Sequence, residues 1–305
     1  MFNAEIIFLL KAMLMMNVSA VIPAYNRPDY LESAIKSVLA QTYPISEIIV
    51  VDDCSTTDLL PVILAFKDER IHYHKSTTNM GNGYSRNQGT KMANGDWIAY
   101  LDDDDIWYEN KIELQIQSIE KHNCIACLTS LEHLETGKIH QPEVGEFVED
   151  KHLRLGNLYC GTSGLLVSKA AILPLLFDET LKCGVDWDIY IRLNQIGKIY
   201  YLQQPLFYYR QGTHSGIISN LTKMKIENYD SRLTAIKKHR HWLGEHKYKK
   251  RLAKQILYYA FSKPKPQDWI YYSIKEAGIP ATLNVIFKKF YEKIKTKLGF
   301  TSKVV

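Results

Sequence analysis

Trp97-Ile98-Ala99-Tyr100-Leu101-Asp102-Asp103-Asp104-Asp105 is an apolar run that ends in four consecutive carboxylates. The apolar half reads as a buried strand, which delivers the acidic half at its C-terminal end. Such a run repels itself, by about 4 kcal/mol for two charges about 4 Å apart at an effective dielectric of about 20. A divalent cation is the usual neutraliser, and hard oxygen ligands suit Mg²⁺ or Mn²⁺. Mg²⁺ held by one or two carboxylates commonly completes its shell with phosphate oxygens. The run therefore points to a metal-dependent site that handles a diphosphate. The alternative is a solvated acidic loop capping the next helix, a job that suits one or two of the four.

The same strand-then-carboxylate grammar recurs upstream. Val18-Ser-Ala-Val-Ile-Pro23 reads as a strand, and Glu47-Ile-Ile-Val-Val51 as a second one that delivers Asp52 and Asp53. Between them Leu31, Ala34, Ile35, Val38 and Leu39 repeat at helical spacing, with Asn26 as a candidate cap and Pro28 near the first turn. Further helices are expected over 59–66, 84–93, 107–122 and 184–193, and further strands over 71–74, 124–129, 160–168, 199–202 and 207–210. This alternation predicts an α/β fold with a mostly parallel central sheet and helices on both faces. Ligands of such sheets bind outside the carboxyl ends of the strands, so Pro23-Ala24-Tyr25, Asp52-Asp53 and Asp102–Asp105 should converge on one cleft.

Charge divides the chain in two. Residues 220–305 hold 20 Lys and Arg against 6 Asp and Glu, whereas the whole 305-residue chain is only +5. An acidic part would bind a metal, and a basic tail would face an anionic surface. The organisation expected is an extension over 1–16, a catalytic domain over 17–219 and a basic helical region over 220–305. The five cysteines are odd in number and scattered; Cys124-Ile-Ala-Cys127 lies in an apolar run and reads as buried strand cysteines rather than zinc or redox chemistry. A reducing, cytoplasmic compartment follows as the default. Ile6 to Met16 is apolar but interrupted by Lys11 and too short to span a bilayer, and Met13, Met15 and Met16 offer alternative starts before the first strand.

Taken together, Val21-Ile-Pro-Ala-Tyr-Asn26, Val50-Val-Asp-Asp-Cys-Ser55, Arg86-Asn87, Tyr100-Leu-Asp-Asp-Asp-Asp105 and Asp186-Trp-Asp188 resemble glycosyltransferase family 2, in that order, over about residues 17–215. The resemblance implies a GT-A fold and transfer of a sugar from a nucleoside-diphosphate sugar with inversion. It gives Asp53 the base of the nucleotide, since a carboxylate accepts from the N3–H of uracil and the Tyr25 ring can stack. Pro23, Ala24 and Tyr25 line that pocket. A turn-capping role is the bland alternative for Asp53. Cys54 stands where the family commonly has glycine. Arg86, after the Gly81-Asn-Gly83 loop, either braces the aspartates, touches the diphosphate or makes a helix-start salt bridge.

By the same resemblance Asp104 ligates Mn²⁺ or Mg²⁺, Asp103 faces the ribose hydroxyls or a metal-bound water, Asp102 supports the loop and Asp105 caps the helix from about Trp107. Asp186 matches the general base that inversion requires. A carboxylate at a helix N-terminus is stabilised as the anion, so burial against Trp187 or bound acceptor has to offset this; a plain N-cap is the alternative. Asp188 reads as structural or as a donor-sugar contact. His214 is a candidate contact to the metal or the diphosphate, and Arg210 could equally pair with an aspartate of the acidic run.

In the tail, Leu283, Ile286, Phe287, Phe290, Ile294 and Leu298 repeat at helical spacing, with Lys288, Lys289, Lys293, Lys295 and Lys297 largely off that stripe. This helix either lies on an anionic membrane at the inner face of the plasma membrane or packs its apolar side on the protein. Nucleic acid is not an expected partner, because the tail lacks an interleaved basic motif. The expected activity is transfer of one or a few sugars to a glycan or lipid-linked saccharide of the bacterial cell surface. A sugar-1-phosphate nucleotidyltransferase is disfavoured, since Pro23-Ala-Tyr-Asn26 is not its glycine-rich signature. A non-catalytic nucleotide-sugar or glycan binder is the remaining alternative.

Overall fold

A computed structural model describes residues 15–211, 224–258, 260–262 and 265–297. Strands are numbered β1 to β9 in chain order, and the longer helices α1 to α8. The chain divides into two compact units, one of residues 1–148, 159–179 and 189–210 and the other of residues 149–158, 180–188 and 211–305.

The first unit is built on one mixed sheet in the order β3-β2-β1-β4-β8-β6-β9-β5, with the two-residue β7 (Ile139–His140) beside β6. β1 (Val18–Ala24), β2 (Glu47–Asp52), β3 (Ile71–Lys75) and β4 (Trp97–Tyr100) run parallel. Every residue of β1 and β2 is buried, as expected of central parallel strands covered on both faces. The connecting helices are α1 (Pro28–Leu39), α2 (Leu60–Phe66) and α3 (Asn82–Met92). α3 reaches β1 closely because Gly89 has no side chain: a Cβ there would stand 2.3 Å from Val21 Cγ1. At the opposite end of these strands Glu47 is clasped by Ser19 Oγ at 2.6 Å and Asn94 Nδ2 at 3.0 Å. Burial raises the Glu47 carboxyl, but these donors outweigh it and hold it below its ordinary value.

β8 (Leu166–Ser168) pairs antiparallel with β4 and leads to β6 (Ala126–His133). Of the expected 160–168 strand only these three residues join the sheet; Thr162–Gly164 forms a 3₁₀ turn. The two strands expected over 199–210 are one, β9 (Ile199–Tyr209), parallel to β6 with register shifts near Thr129–Glu132. Bulges let one long strand bend where the hydrophobic pattern suggests a break. The helix expected from Trp107 begins later, as α4 (Lys111–His122). Ile106–Trp107 instead form β5, a two-residue strand antiparallel to β9. The acidic run is therefore tethered to the sheet at both ends, by β4 before it and β5 after it.

The expected cap of α1 is also different. Arg27 occupies the N-cap without a side-chain cap bond. Asn26, at φ +57°, turns its Oδ1 to the Thr56 and Thr57 amides at 2.8 and 3.0 Å. It ties the end of β1 to the turn after β2. Cys54 in that turn has φ +62°, which explains why glycine suits the position. No disulfide joins any of the five cysteines, and burial raises Cys127 to about 12, the behaviour of an inert core thiol.

The second unit is helical. Its main members are α6 (Glu245–Leu257), α7 (Pro266–Ala277) and α8 (Ile279–Lys297). α5 (Val185–Asn194) begins in this unit and ends in the first. Among the described residues no helix is long and apolar enough to cross a membrane.

Gly89→Ala is expected to drive a methyl into Val21 and destabilise the protein by about 1–3 kcal/mol, measured by urea unfolding. An unchanged midpoint would show that α3 can move off β1 without loss.

Candidate active site

Parallel pairing sets the C-terminal ends of β2, β1 and β4 side by side, and the residues that follow them form the candidate site. Backbone bonds fasten the ends together: the Asp53 amide donates to Ala24 O at 2.9 Å, and the Leu101 amide to Val21 O at 3.1 Å.

Each aspartate of the run has its own partners. Asp102 Oδ1 accepts from Arg86 Nη2 at 2.5 Å, and Thr162 Oγ1 lies 3.3 Å from the same oxygen. Asp103 Oδ2 accepts from the Tyr25 amide at 2.9 Å, and its Oδ1 pairs with Arg27 Nη1 at 2.9 Å. The same Nη1 pairs with Asp104 Oδ2 at 2.5 Å. Asp105 is fully enclosed and accepts from Ser163 Oγ at 2.6 Å and from the Arg210 amide at 3.1 Å. It caps no helix, because β5 follows it where a helix was expected. Arg210 also donates Nε to Asp104 O at 3.0 Å and stacks on Tyr30 at 4.4 Å.

Two guanidiniums, of Arg86 and Arg27, thus pair with Asp102, Asp103 and Asp104, while Arg210 reaches Asp105 through its backbone amide and holds the Asp104 carbonyl with its Nε. Burial, with Asp104 and Asp102 adding to it against the pull of Arg27, pushes Asp103 up to about 7. Burial and Asp102 likewise raise Asp104, and burial with Asp102 and Asp104 raises Asp105 further. Arg86 takes the bracing role among those open to it. Asn87 beside it holds the 177–179 segment, donating Nδ2 to Phe177 O at 2.9 Å and to Glu179 Oε1 at 2.7 Å.

Asp53 is buried, and its carboxylate accepts from the Met80 amide at 2.8 Å and the Gly81 amide at 2.7 Å. The amides at the head of the glycine loop thus face this carboxylate. Asp53 retains lone pairs beyond these two bonds. The turn-capping work falls to its neighbour: Asp52 accepts from the Ser55 amide at 2.8 Å and from Tyr73 Oη at 2.6 Å. Tyr25, 43% exposed, offers its ring at the strand end, while Pro23 and Ala24 belong to β1.

Asp186 lies in the second unit, in the first turn of α5. Its Oδ2 accepts from Asn157 Nδ2 at 2.6 Å and its Oδ1 from the Trp187 amide at 2.8 Å. The Trp187 indole is committed to that unit's core, donating to Leu153 O at 2.7 Å beneath Arg251 at 4.5 Å. Asp188 is structural: it is buried against His239 Nε2 at 2.7 Å and Lys238 Nζ at 2.8 Å. His214 lies outside the described residues.

Arg27, Thr162, Ser163 and Asn157 were not singled out by sequence reasoning. Arg27 carried one signal: it follows directly the strand end that was expected to meet the acidic run. The other three are ordinary polar residues that only tertiary placement makes partners of carboxylates.

Among the described residues no three His, Cys, Asp or Glu side chains are grouped to hold a metal ion. Asp103 and Asp104 already converge on one positive group, the Arg27 Nη1, so the two carboxylates share a single focus.

The chain matches the family described as glycosyl transferase family 2 over residues 19–171. An uncharacterized glycosyltransferase of Rickettsia conorii is 36% identical over 197 residues, covering 60% of this chain and 31% of the relative. The UDP-Glc:alpha-D-GlcNAc-diphosphoundecaprenol beta-1,3-glucosyltransferase WfgD of Escherichia coli is 36% identical over 152 residues, covering 49% of this chain and 58% of WfgD. The chain thus spans about a third of the first relative and somewhat over half of the second. Residues 1-349 of S. aureus TarS, solved with UDP-GlcNAc, share the fold with a TM-score of 0.64 at 19% identity, over 88% of this chain and 79% of that one. The fold is of the GT-A type that the sequence implied.

Asp53→Asn turns an amide N–H₂ toward the Met80 or Gly81 donor and is expected to cost about 1–3 kcal/mol, read by chemical denaturation. Wild-type stability in this variant would mean the two bonds do not hold the loop.

Proposed function

The chain belongs to glycosyltransferase family 2, and we propose that it moves a sugar, with inversion, from a UDP-sugar to a hydroxyl of a glycan or lipid-linked saccharide in bacterial cell-surface polysaccharide synthesis. The observation that carries the reading is the grouping of Tyr25, Asp53 and Asp103 at adjacent parallel strand ends, with the Tyr25 amide bonded to Asp103. That grouping offers a stacking ring, an acceptor for a base N–H and carboxylates for the diphosphate end in one row. The E. coli relative, named for a UDP-glucose donor and a diphosphoundecaprenol-linked acceptor, supports the choice of donor and acceptor classes.

In this reading Asp53 and Tyr25 hold the base, the backbone from Pro23 to Tyr25 lines the nucleoside pocket, and Asp103 faces the ribose. Asp104, with Asp103 beside it, would hold Mn²⁺ or Mg²⁺, which when bound neutralises charge building on the diphosphate. Arg86 keeps Asp102 in place, and with it the start of the loop. Asp186, oriented by Asn157, accepts the proton of the acceptor hydroxyl. The acceptor oxygen bonds to the anomeric carbon as the bond from that carbon to the diphosphate oxygen breaks. The bonding pair leaves with the nucleoside diphosphate, and configuration at the carbon inverts.

Thermal-shift titration with nucleoside diphosphates tests the donor site: UDP with Mn²⁺ should stabilise the chain, and no response to any nucleotide would overturn the reading. Asp186→Asn is expected to retain that shift and lose at least about a hundredfold in turnover; unchanged turnover would remove Asp186 from the chemistry. Because Asp103 is held up to about 7, a proton competes with the cation. The Mn²⁺-dependent part of the UDP shift should therefore grow from about pH 6 to about pH 8, as the carboxyl loses its proton.

A further inference from the structure

Among the described residues, the basic C-terminal helix α8 packs one face and leaves a second, apolar face exposed. On the packed face Thr282 and Val285 are buried, with Thr282 Oγ1 bonded to Ser273 Oγ of α7 at 2.9 Å. Lys289 completes the attachment, donating Nζ to Leu257 O at 2.6 Å and to Tyr258 O at 2.9 Å at the end of α6. The helix is therefore fastened in place without using its second stripe.

That second stripe is Ile279, Leu283, Phe287, Phe290, Tyr291 and Ile294. These positions recur every three or four residues and share one side of the helix over about four turns, or about 20 Å. All six are exposed, Phe287 to 68% and Tyr291 to 65%. Soluble monomers rarely present so many large apolar side chains in one row, and such a row marks an interaction surface. The sequence alternatives for this helix were a membrane-facing stripe or a stripe packed on the protein. Of the stripe read from the sequence, Leu283, Phe287, Phe290 and Ile294 are exposed rather than packed, and the buried Val285 lies off it.

Charge selects the partner. The helix carries five lysines and one acidic residue, Glu292. Lys288 and Lys295 lie one helical step beyond Phe287 and Ile294, Lys288 exposed and Lys295 half-buried. An apolar stripe with aromatic rings beside lysines is the pattern of a helix that lies in the headgroup region of an anionic bilayer, rings inward and ammonium groups among the phosphates. Two copies of this chain meeting through the same face would oppose lysine to lysine, which disfavours self-association.

We propose that α8 is a membrane-docking surface, seated along its Ile279–Ile294 stripe on a bilayer containing anionic phospholipid. The proposal concerns a surface and not the donor site, so it stands or falls independently of the transfer reaction.

The test is co-sedimentation of the full chain with vesicles of phosphatidylcholine alone or mixed with phosphatidylglycerol, alongside light scattering without lipid. The wild-type chain should sediment with the mixed vesicles and release as salt is raised. The pair Phe287→Ser and Phe290→Ser should weaken binding at least about tenfold per ring, while its thermal melt and its response to UDP match the wild type. Lys288→Gln with Lys295→Gln should weaken binding to the anionic vesicles and reduce the salt effect. No sedimentation with anionic vesicles, or full binding by the double-phenylalanine variant, would overturn the proposal. So would a stable dimer that the phenylalanine changes dissociate.

Discussion

Four carboxylates at the end of one parallel strand are a charge problem, and the way the chain solves it organises the site. Arg27 comes from the residue before α1, Arg86 from α3 and Arg210 from the end of β9. Three distant segments are thereby tied to one loop, with Thr162, Ser163 and the Tyr25 amide supplying the remaining bonds. Removing one member would leave a buried charge unpaired, which costs more than the pair itself contributes. The loop is also anchored at both ends by β4 and β5, so its carboxylates are set by the sheet rather than by the loop's own preferences.

The nucleotide side of the site follows a similar economy. Asp53 and Asp52 are adjacent yet serve different masters. Asp52 closes the turn after β2, and Asp53 reaches across to the amides of Met80 and Gly81. Asn26, in a left-handed conformation, joins the end of β1 to that same turn. These bonds stiffen the ground on which a base would rest. Pre-set groups of this kind lose little entropy on binding.

The second unit repeats the logic with the Asp186-Trp-Asp188 segment. Three consecutive residues take three separate environments: Asp186 meets Asn157, Trp187 meets Leu153 and Arg251, and Asp188 meets His239 and Lys238. A helix sends successive side chains about 100° apart, so one short motif can both support a core and present a carboxylate. The helix α8 divides its faces in the same manner, one holding it to α6 and α7 and the other left apolar and exposed.

Sequence alone determined the alternation of strands and helices, the placing of Asp53 and the acidic run at strand ends, and the family, because short-range periodicity and ordered motifs survive without coordinates. It also marked Asp186 as a candidate and the tail as basic. It misjudged elements whose state depends on distant pairing: Ile106–Trp107 are a strand only because β9 lies beside them, and Thr162–Gly164 turn because Asp102 and Asp105 draw their hydroxyls in. It named Arg86 and Arg210 as candidate partners of the aspartates but missed Arg27. Arg27, Arg86 and Arg210 are separated by up to 183 positions in the chain, and only the closing of the sheet brings their charges within a few ångströms of one loop, where Coulomb energy decides the pairing.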